Sequence, residues 1–249
     1  NRPADLEYNT FAHTLPGQQV RSFTTSLPFR LTGAQKKAFE EISKDMCDPS
    51  PMNRLLQGDV GSGKTVIAAA AAGIAAANAH QTAILAPTSI LAEQHLLSLR
   101  QLLPQAAGVP AESIRLLIGA TPAGEKEEIR AGLQDGSLRV VIGTHALLED
   151  PVVFQRLGLA VIDEQHRFGV AQRAALRAKG QSPNLLVMTA TPIPRSLALT
   201  VFGDLDLSLI EQMPPNRQQV QTQVMRPVER PRAHQFIRSQ LEHGRQAFI

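Results

Sequence analysis

A glycine-rich stretch constrains this chain more than any other part of its sequence. Its residues fit the pattern G-x-x-x-x-G-K-[ST]: Gly58, Asp59, Val60, Gly61, Ser62, Gly63, Lys64 and Thr65. An apolar run precedes it and an alanine-rich run of helical length follows, which is the strand–loop–helix context that a phosphate-binding loop requires. In such a loop, glycines let backbone N–H groups surround phosphate oxygens, and the helix N-terminus adds a favourable dipole. The sequence therefore predicts a nucleotide site in which Lys64 contacts the β- and γ-phosphates and Thr65 binds Mg²⁺.

A second candidate site lies at the end of another apolar run. Residues 159–162 are apolar and lead directly into two carboxylates, Asp163 and Glu164. One such side chain can hold Mg²⁺ while the other orients and deprotonates the attacking water. We predict that Asp163 binds the metal and that Glu164 activates the water. Without the lysine-containing loop upstream, a solvated strand end would be the better interpretation of this pair.

Short apolar runs alternate with stretches of helical length along most of the chain. The apolar runs are residues 54–57, 82–86, 114–118, 139–143, 159–162 and 185–188. The helical stretches between them include residues 66–79, 90–103 and 125–133, and Thr32 is predicted to cap a further helix that ends before Pro49. Continuous apolar strands that alternate with helices indicate a parallel sheet covered on both faces. The predicted fold class is therefore α/β, with three layers.

Composition excludes several other classes of protein and site. The chain of 249 residues is 43% hydrophobic, which is enough to bury a core, and its single cysteine, Cys47, excludes a disulfide framework or a multi-cysteine metal site. The histidines show no metal-ligand spacing, and we interpret residues 204–206 as a solvated loop rather than a metal-binding pair of carboxylates. The most apolar long stretch, residues 66–79, is too short to cross a membrane.

Charge is distributed unevenly along the chain. The formal net charge is only +3, which is too small to indicate nucleic-acid binding alone. Residues 217–249, however, carry six arginines against Glu229 and Glu242. For this basic segment we predict a strand at residues 220–225 and a helix at residues 232–242. The segment suits a polyanionic partner, and solvated arginines on a helix explain it equally well.

Several short strings outside the glycine-rich loop point to one family. These are Asp163-Glu164-Gln165-His166, Thr189-Ala190-Thr191-Pro192, Ala86-Pro87-Thr88 and Gly143-Thr144-His145. Together with the loop, they resemble the motifs of superfamily 2 helicases, specifically those of the first RecA-like domain. The longer strings at residues 58–65, 92–95, 163–170 and 188–195 are similar to those of the bacterial RecG-type DNA helicases. The resemblance covers residues 27–249.

This resemblance implies a role for each matching residue. It assigns adenine recognition to Gln35, with Phe29 a candidate to pack against the base. It assigns the coupling of hydrolysis to domain motion to Gln165, His166, Thr189 and Thr191. It assigns contact with the DNA backbone to Pro87, Thr88, Thr144 and His145. The alternatives are an ordinary exposed helix position for Gln35, core packing for Phe29, a polar position without a coupling role for His166, and structural capping for Thr144 and His145.

The resemblance also implies a domain organisation. It implies a RecA-like P-loop NTPase domain at residues 29–213, followed at residues 214–249 by a linker and the truncated start of a second RecA-like domain. Residues 1–28 are expected to be a linker or the remnant of a preceding wedge domain, so we expect the chain to be a piece of a longer protein. In such proteins the second domain holds an arginine finger, and we therefore expect this piece alone to hydrolyse ATP poorly.

The implied function is that of an ATP-dependent DNA helicase that drives branch migration and fork remodelling in recombination and repair. Its cofactors would be ATP and Mg²⁺ and its partner branched or duplex DNA, and we expect a cytoplasmic monomer with no membrane association. Two alternatives stay open. One is the translocase module of a transcription-repair coupling factor. In that class of protein we expect Asp-Glu-Glu-Gln where this chain has Asp-Glu-Gln-His at residues 163–166. The other is a nucleotide-binding module without turnover.

Overall fold

The structure is a computed structural model that describes residues 23–27, 29–164, 170–191, 205–212 and 222–248. Contacts between Cα atoms divide the chain into two compact units, Asn1–Pro214 and Pro215–Ile249.

A parallel sheet forms the centre of the first unit. Its strands are β1 (Asn53–Gly58), β2 (Gln81–Leu85), β3 (Ile114–Leu117), β4 (Val140–Gly143), β5 (Leu157–Asp163), β6 (Asn184–Thr189) and β7 (Asp206–Ile210). Within the described residues they form one seven-stranded sheet in the order β3-β4-β2-β5-β6-β1-β7. Every neighbouring pair is parallel, so the carboxyl ends of all strands meet at one edge.

Helices precede β1 and connect most of the following strands. They are α1 (Gly33–Met46), α2 (Lys64–Ala77), α3 (Ser89–Ala107), α4 (Ala123–Gln134) and α5 (Val170–Arg177). Thr32 is the N-cap of α1, as predicted: its side chain accepts a hydrogen bond from Gln35 N, and the Gln35 side chain accepts one from Thr32 N. This reciprocal capping box satisfies two of the N–H groups that a helix start leaves without partners.

The two faces of the sheet bury separate hydrophobic clusters. Along β5, Leu159 and Val161 belong to the cluster that contains residues of α1, α2 and α3, whereas Ala160 and Ile162 belong to the cluster that contains residues of α4 and α5. This alternation follows from the two-residue period of a strand. The predicted three-layer α/β architecture is confirmed.

The alanine content of α2 explains its position against the sheet. Every residue from Ile67 to Ala75 is buried, and most of these side chains are no larger than a methyl group. A helix that is apolar on all sides is buried on all sides. Small side chains let α2 lie close to the sheet, and its start at Lys64 follows the loop that leaves β1 at Gly58.

Six of the seven strands were predicted to within two residues at each end, and β7 was missed. The interpretation of residues 204–206 as a loop is wrong at Asp206, which begins β7 and pairs with Arg54 of β1. This strand lies at the edge of the sheet, and only Ser208 and Ile210 among its residues are fully buried. Asp206 and Ser208 interrupt the apolar residues of β7, so this strand lacks the continuous apolar run that identified the others, including β3 at the opposite edge.

The second unit is described over residues 222–248. A short 3-10 turn, Pro227–Glu229, leads into a helix, α6 (Arg230–Glu242), which contains the predicted helix at residues 232–242. The strand predicted at residues 220–225 is not found in its described part, because residues 222–226 are irregular. Across the described ranges of the whole chain, no helix combines the length and the apolar character needed to cross a membrane.

Candidate nucleotide-binding and hydrolysis site

Three neighbouring strands place the predicted site residues at the same edge of the sheet. Gly58 ends β1, Asp163 ends β5 and Thr189 ends β6. In the sheet these strands follow one another as β5-β6-β1. The glycine-rich loop, the paired carboxylates and the Thr-Ala-Thr string therefore lie side by side, at the edge where open parallel sheets bind ligands.

The glycine-rich loop has the backbone geometry of a phosphate cradle. Gly61 and Gly63 have φ angles of 78° and 91°, a region that glycine occupies without strain. Gly63 is the N-cap of α2, and no side chain among the described residues caps this helix start. The first N–H groups of α2 therefore point into the loop, where they can bind an anion. Ser62 is fully buried, and its Oγ has no hydrogen-bond partner in the described part of the chain.

Lys64 is held within the loop. Its Nζ donates hydrogen bonds to Gly58 O at 2.7 Å and to Asp59 O at 3.1 Å. Burial lowers the pKa of Lys64, while the negative charges of Asp163, Glu164 and Asp59 act in the opposite direction. The ammonium is thus close to both carboxylates and at the mouth of the loop, where it can neutralise phosphate charge.

Asp163 is buried and its carboxylate has a partner on each oxygen. Oδ2 lies 2.7 Å from His95 Nε2, and Oδ1 accepts a hydrogen bond from Glu164 N at 3.0 Å. Glu164, half-buried, has a φ of 52°, a left-handed conformation that is unfavourable for a residue with a side chain. Strained backbone of this kind is concentrated at functional sites, and here it turns the chain immediately after β5.

Sequence reasoning missed His95. This residue lies within α3, far from Asp163 along the chain, and the two side chains meet only in the folded protein. The string Ala92-Glu93-Gln94-His95 could have indicated it. This string supports the family resemblance, but the resemblance assigns no function to its residues.

These residues enclose one cleft. It has a volume of about 350 Å³, and its lining includes Gly61, Gly63, Lys64, Thr65, Asp163 and Glu164. Ala190, between Thr189 and Thr191, also lines it. The cleft thus combines backbone donors, an ammonium, a hydroxyl and two carboxylates, which is the set of groups that binds nucleotide phosphates together with a divalent cation.

Gln35 contacts the loop directly. Its side chain is buried, and its Nε2 donates a hydrogen bond to Ser62 O at 2.7 Å. The interpretation of Gln35 as an ordinary exposed helix residue is therefore wrong. Phe29 is 44% exposed, so core packing does not describe it. Its ring lines a second cleft together with Lys36 of α1. The adenine roles of Gln35 and Phe29 stay predictions.

The predicted DNA-contacting residues lie further along the same edge. Pro87 and Thr88 follow β2, Thr144 and His145 follow β4, and these strands are neighbours with Ala86 N bonded to Gly143 O at 2.8 Å. Thr88 caps α3 through its Oγ1, which accepts from Leu91 N. Within the described structure the Thr144 side chain makes no capping hydrogen bond, and His145 is exposed.

The predicted coupling residues are described in part. Thr189 is buried, and its Oγ1 accepts a hydrogen bond from Thr191 N at 3.1 Å. Gln165 and His166 lie outside the described residues. The link proposed between His166 and the two threonines therefore stays a prediction.

The amino-acid sequence of the chain is similar to those of named DNA helicases. Over 94% of its length it is 51% identical to the ATP-dependent DNA helicase RecG of Synechocystis sp. and to that of Thermotoga maritima. It spans 28% and 30% of those two proteins.

Solved structures show the same fold. A structure of RecG bound to a three-way DNA junction matches 96% of this chain with a TM-score of 0.83 and 46% identity, and the match covers 32% of that protein. The helicase domain of Hef from Pyrococcus furiosus matches 70% of the chain with a TM-score of 0.55 at 23% identity, which supports the RecA-like fold alone. The family model described as DEAD/DEAH box helicase matches residues 32–200. The chain therefore belongs to the DEAD/DEAH box helicase family.

Proposed function

We propose that the protein containing this chain is an ATP-dependent DNA helicase of the RecG type. It would use ATP hydrolysis to drive branch migration and fork remodelling of branched DNA in recombination and repair, as a monomer in the bacterial cytoplasm. The observation that carries the proposal is the cleft in which Lys64, Asp163 and Glu164 meet, in a chain 51% identical to proteins named RecG. This similarity favours the RecG type over the transcription-repair coupling factor.

The cleft residues fit ATP with Mg²⁺. The N–H groups at the start of α2 and the ammonium of Lys64 suit the phosphates, and the buried Ser62 Oγ has hydrogen-bonding capacity to spare within the described structure. No cluster of three metal-ligating side chains is found among the described residues. Thr65 and Asp163 line the same cleft and would hold the cation together with phosphate oxygens and water, as is usual for Mg²⁺. When bound, the cation would neutralise charge that develops on the phosphates.

The chain supplies the remaining parts of a hydrolytic mechanism. Lys64 would donate hydrogen bonds to the β- and γ-phosphates of a bound nucleotide and stabilise their charge. Glu164 is half-buried and lines the cleft. It would orient the water that attacks the γ-phosphate and accept a proton from that water.

We propose that DNA contacts the loops that follow β2 and β4 at the carboxyl edge of the sheet. Pro87, Thr88, Thr144 and His145 follow β2 and β4, which present loop N–H groups and short polar side chains. Such groups contact phosphates and position a protein on DNA without reading its sequence. The relative solved with a three-way DNA junction supports DNA as the partner.

Lys64→Ala and Glu164→Gln test the proposal in the full-length protein. ATP hydrolysis is measured without DNA and with forked, linear duplex and single-stranded DNA. We expect Lys64→Ala to abolish stimulated hydrolysis. Glu164→Gln should keep ATP binding and lose about 10²–10⁴-fold in turnover, because it removes the general base. Unchanged turnover in Lys64→Ala would contradict the proposal, and ATP binding without hydrolysis by the unmodified protein would support the non-catalytic alternative.

A further inference from the structure

His95 places a polar group on the buried face of α3. The other buried residues of this helix are Ala92, Leu99, Leu103 and Ala106, all apolar. An imidazole buried on such a face costs free energy unless a partner satisfies its hydrogen-bonding atoms. The partner is Asp163: His95 Nε2 lies 2.7 Å from Oδ2, and the two side chains are only 9% and 10% exposed.

This contact fixes the carboxylate of Asp163 from two sides. His95 engages Oδ2 from α3, and the backbone N–H of Glu164 engages Oδ1 at 3.0 Å from the turn after β5. Rotating the carboxylate about its Cβ–Cγ bond would break both hydrogen bonds. The plane of the carboxylate, and therefore the direction of the lone pairs that face the cleft, is set by these two partners.

We propose that His95 is a positioning residue that orients Asp163 toward the Mg²⁺ of the bound nucleotide. The proposal rests on the proposed function, in which Asp163 is a metal ligand. Partners that hydrogen-bond a ligating carboxylate orient it, and their removal typically weakens metal binding about 10–100-fold. His95 also lines the cleft, but the role proposed here is exerted through Asp163 and not through a contact of the imidazole with the nucleotide.

The test measures nucleotide binding rather than turnover. In the full-length protein, the affinity for the fluorescent nucleotide N-methylanthraniloyl-ADP is measured by equilibrium titration without Mg²⁺ and over a series of Mg²⁺ concentrations. Four proteins are compared: the unmodified protein, His95→Ala, His95→Gln and Gln101→Ala. Gln101 is exposed on the same helix and serves as the matched control.

We expect His95→Ala to raise the Mg²⁺ concentration for half-maximal enhancement of binding about 10–100-fold. The metal-free affinity should not change, because the contacts of the loop with the phosphates are intact. His95→Gln should restore most of the Mg²⁺ response, since its amide nitrogen occupies nearly the same place as Nε2. Gln101→Ala should match the unmodified protein. If His95→Ala does not fold, His95→Leu fills the space without a donor and should show the same defect.

Three results would overturn the assignment. The first is a folded His95→Ala or His95→Leu protein with an unchanged Mg²⁺ response. The second is an equal loss of affinity with and without Mg²⁺, which would indicate a packing role. The third is a His95→Gln protein as impaired as His95→Ala. An unmodified protein that binds nucleotide without any Mg²⁺ response would instead contradict the metal role of Asp163 in the proposed function, and this role of His95 with it.

Discussion

Gln35 joins the start of α1 to the glycine-rich loop through one amide group. Its Oε1 accepts a hydrogen bond from Thr32 N at 2.9 Å, and its Nε2 donates one to Ser62 O at 2.7 Å. Its nitrogen also packs so close to Gly63 that a Cβ at that position would collide with it. The same side chain that the family resemblance assigns to adenine therefore also holds the loop in shape.

Gln35→Ala is expected to destabilise the protein by about 1–3 kcal/mol. The substitution leaves Ser62 O and Thr32 N without their partner, and an unsatisfied buried polar group costs about that much. Urea-induced unfolding gives the change in free energy. Lys37→Ala is the control, because Lys37 is exposed on the same helix. Equal stability of the two variants would contradict a structural role for the amide.

His80 is a buried titratable group at the opposite edge of the sheet. Burial lowers its pKa to about 4, and the nearby positive charge of Arg156 adds to the effect. Arg156 NH2 lies 3.3 Å from His80 Nε2. At neutral pH the imidazole is therefore uncharged and accepts this hydrogen bond.

The pH dependence of stability follows from that lowered pKa. Because the unfolded chain binds a proton near pH 6.5 and the folded one near pH 4, the contribution of His80 is fully present above pH 6.5 and is lost as the pH falls toward 4. Between pH 7 and pH 5 we expect a loss of about 1–2 kcal/mol from this group. Urea unfolding at both pH values should show a smaller loss for His80→Gln. An equal loss in both proteins would contradict the assignment.

At the scale of elements, Arg54 links α1, β1 and β7. Its Nε is 2.7 Å from Asp45 Oδ2, and its NH1 donates a hydrogen bond to Ser208 Oγ at 2.9 Å. Ser208 Oγ in turn donates to Glu41 Oε2 at 2.5 Å. The guanidinium is buried and the two carboxylates are partly exposed. The edge strand β7 is thus held by polar contacts as well as by its pairing with β1.

Arg54→Met should lower the free energy of unfolding by about 3 kcal/mol. Removing one partner of a buried ion pair typically costs about 3–5 kcal/mol, and the partial exposure of Asp45 and Glu41 favours the lower end. Arg130→Met is the control, since its partners Glu127 and Glu149 are exposed and such surface pairs contribute about 0–1 kcal/mol. Chemical unfolding of both variants measures the difference. A cost for Arg54→Met no larger than that for Arg130→Met would contradict this account.

Local sequence patterns predict most of the helices and strands. They do not predict contacts between residues that lie far apart along the chain. The strands of the sheet interior are continuous apolar runs, so their sequences alone indicated burial on both faces. The edge strand β7 has no such run. Besides its pairing with β1, the contacts of Ser208 with Arg54 and Glu41 hold it in place. The glycine-rich loop and Asp163-Glu164 were found because each is contiguous in the chain. His95 and Asp163 are brought together only by packing, which no local pattern reports.

At the scale of the whole first unit, the strand order divides the carboxyl edge into two halves. The loops after β5, β6 and β1 carry the candidate hydrolytic residues, and the loops after β4 and β2 carry the candidate DNA contacts. Strands β2 and β5 are direct neighbours, so the two halves are continuous. A single rigid sheet therefore holds both sets of loops at fixed spacing.

This division predicts that a negative charge added to the loops after β4 and β2 will impair DNA binding without impairing nucleotide binding. His145→Glu introduces a negative charge at an exposed position after β4. In the full-length protein it should raise the DNA concentration for half-maximal stimulation of ATP hydrolysis about tenfold at low salt, because like charges repel, and less at high salt.

Gln181→Glu is the matched control for that charge, since Gln181 is exposed and precedes β6, at the amino edge of the sheet. It should leave the DNA concentration dependence unchanged. Binding of N-methylanthraniloyl-ADP without DNA should be the same in both variants, because neither position lines the cleft. Equal effects of the two substitutions would show that net charge decides DNA affinity. A normal DNA response in a folded His145→Glu protein would place the DNA contacts elsewhere.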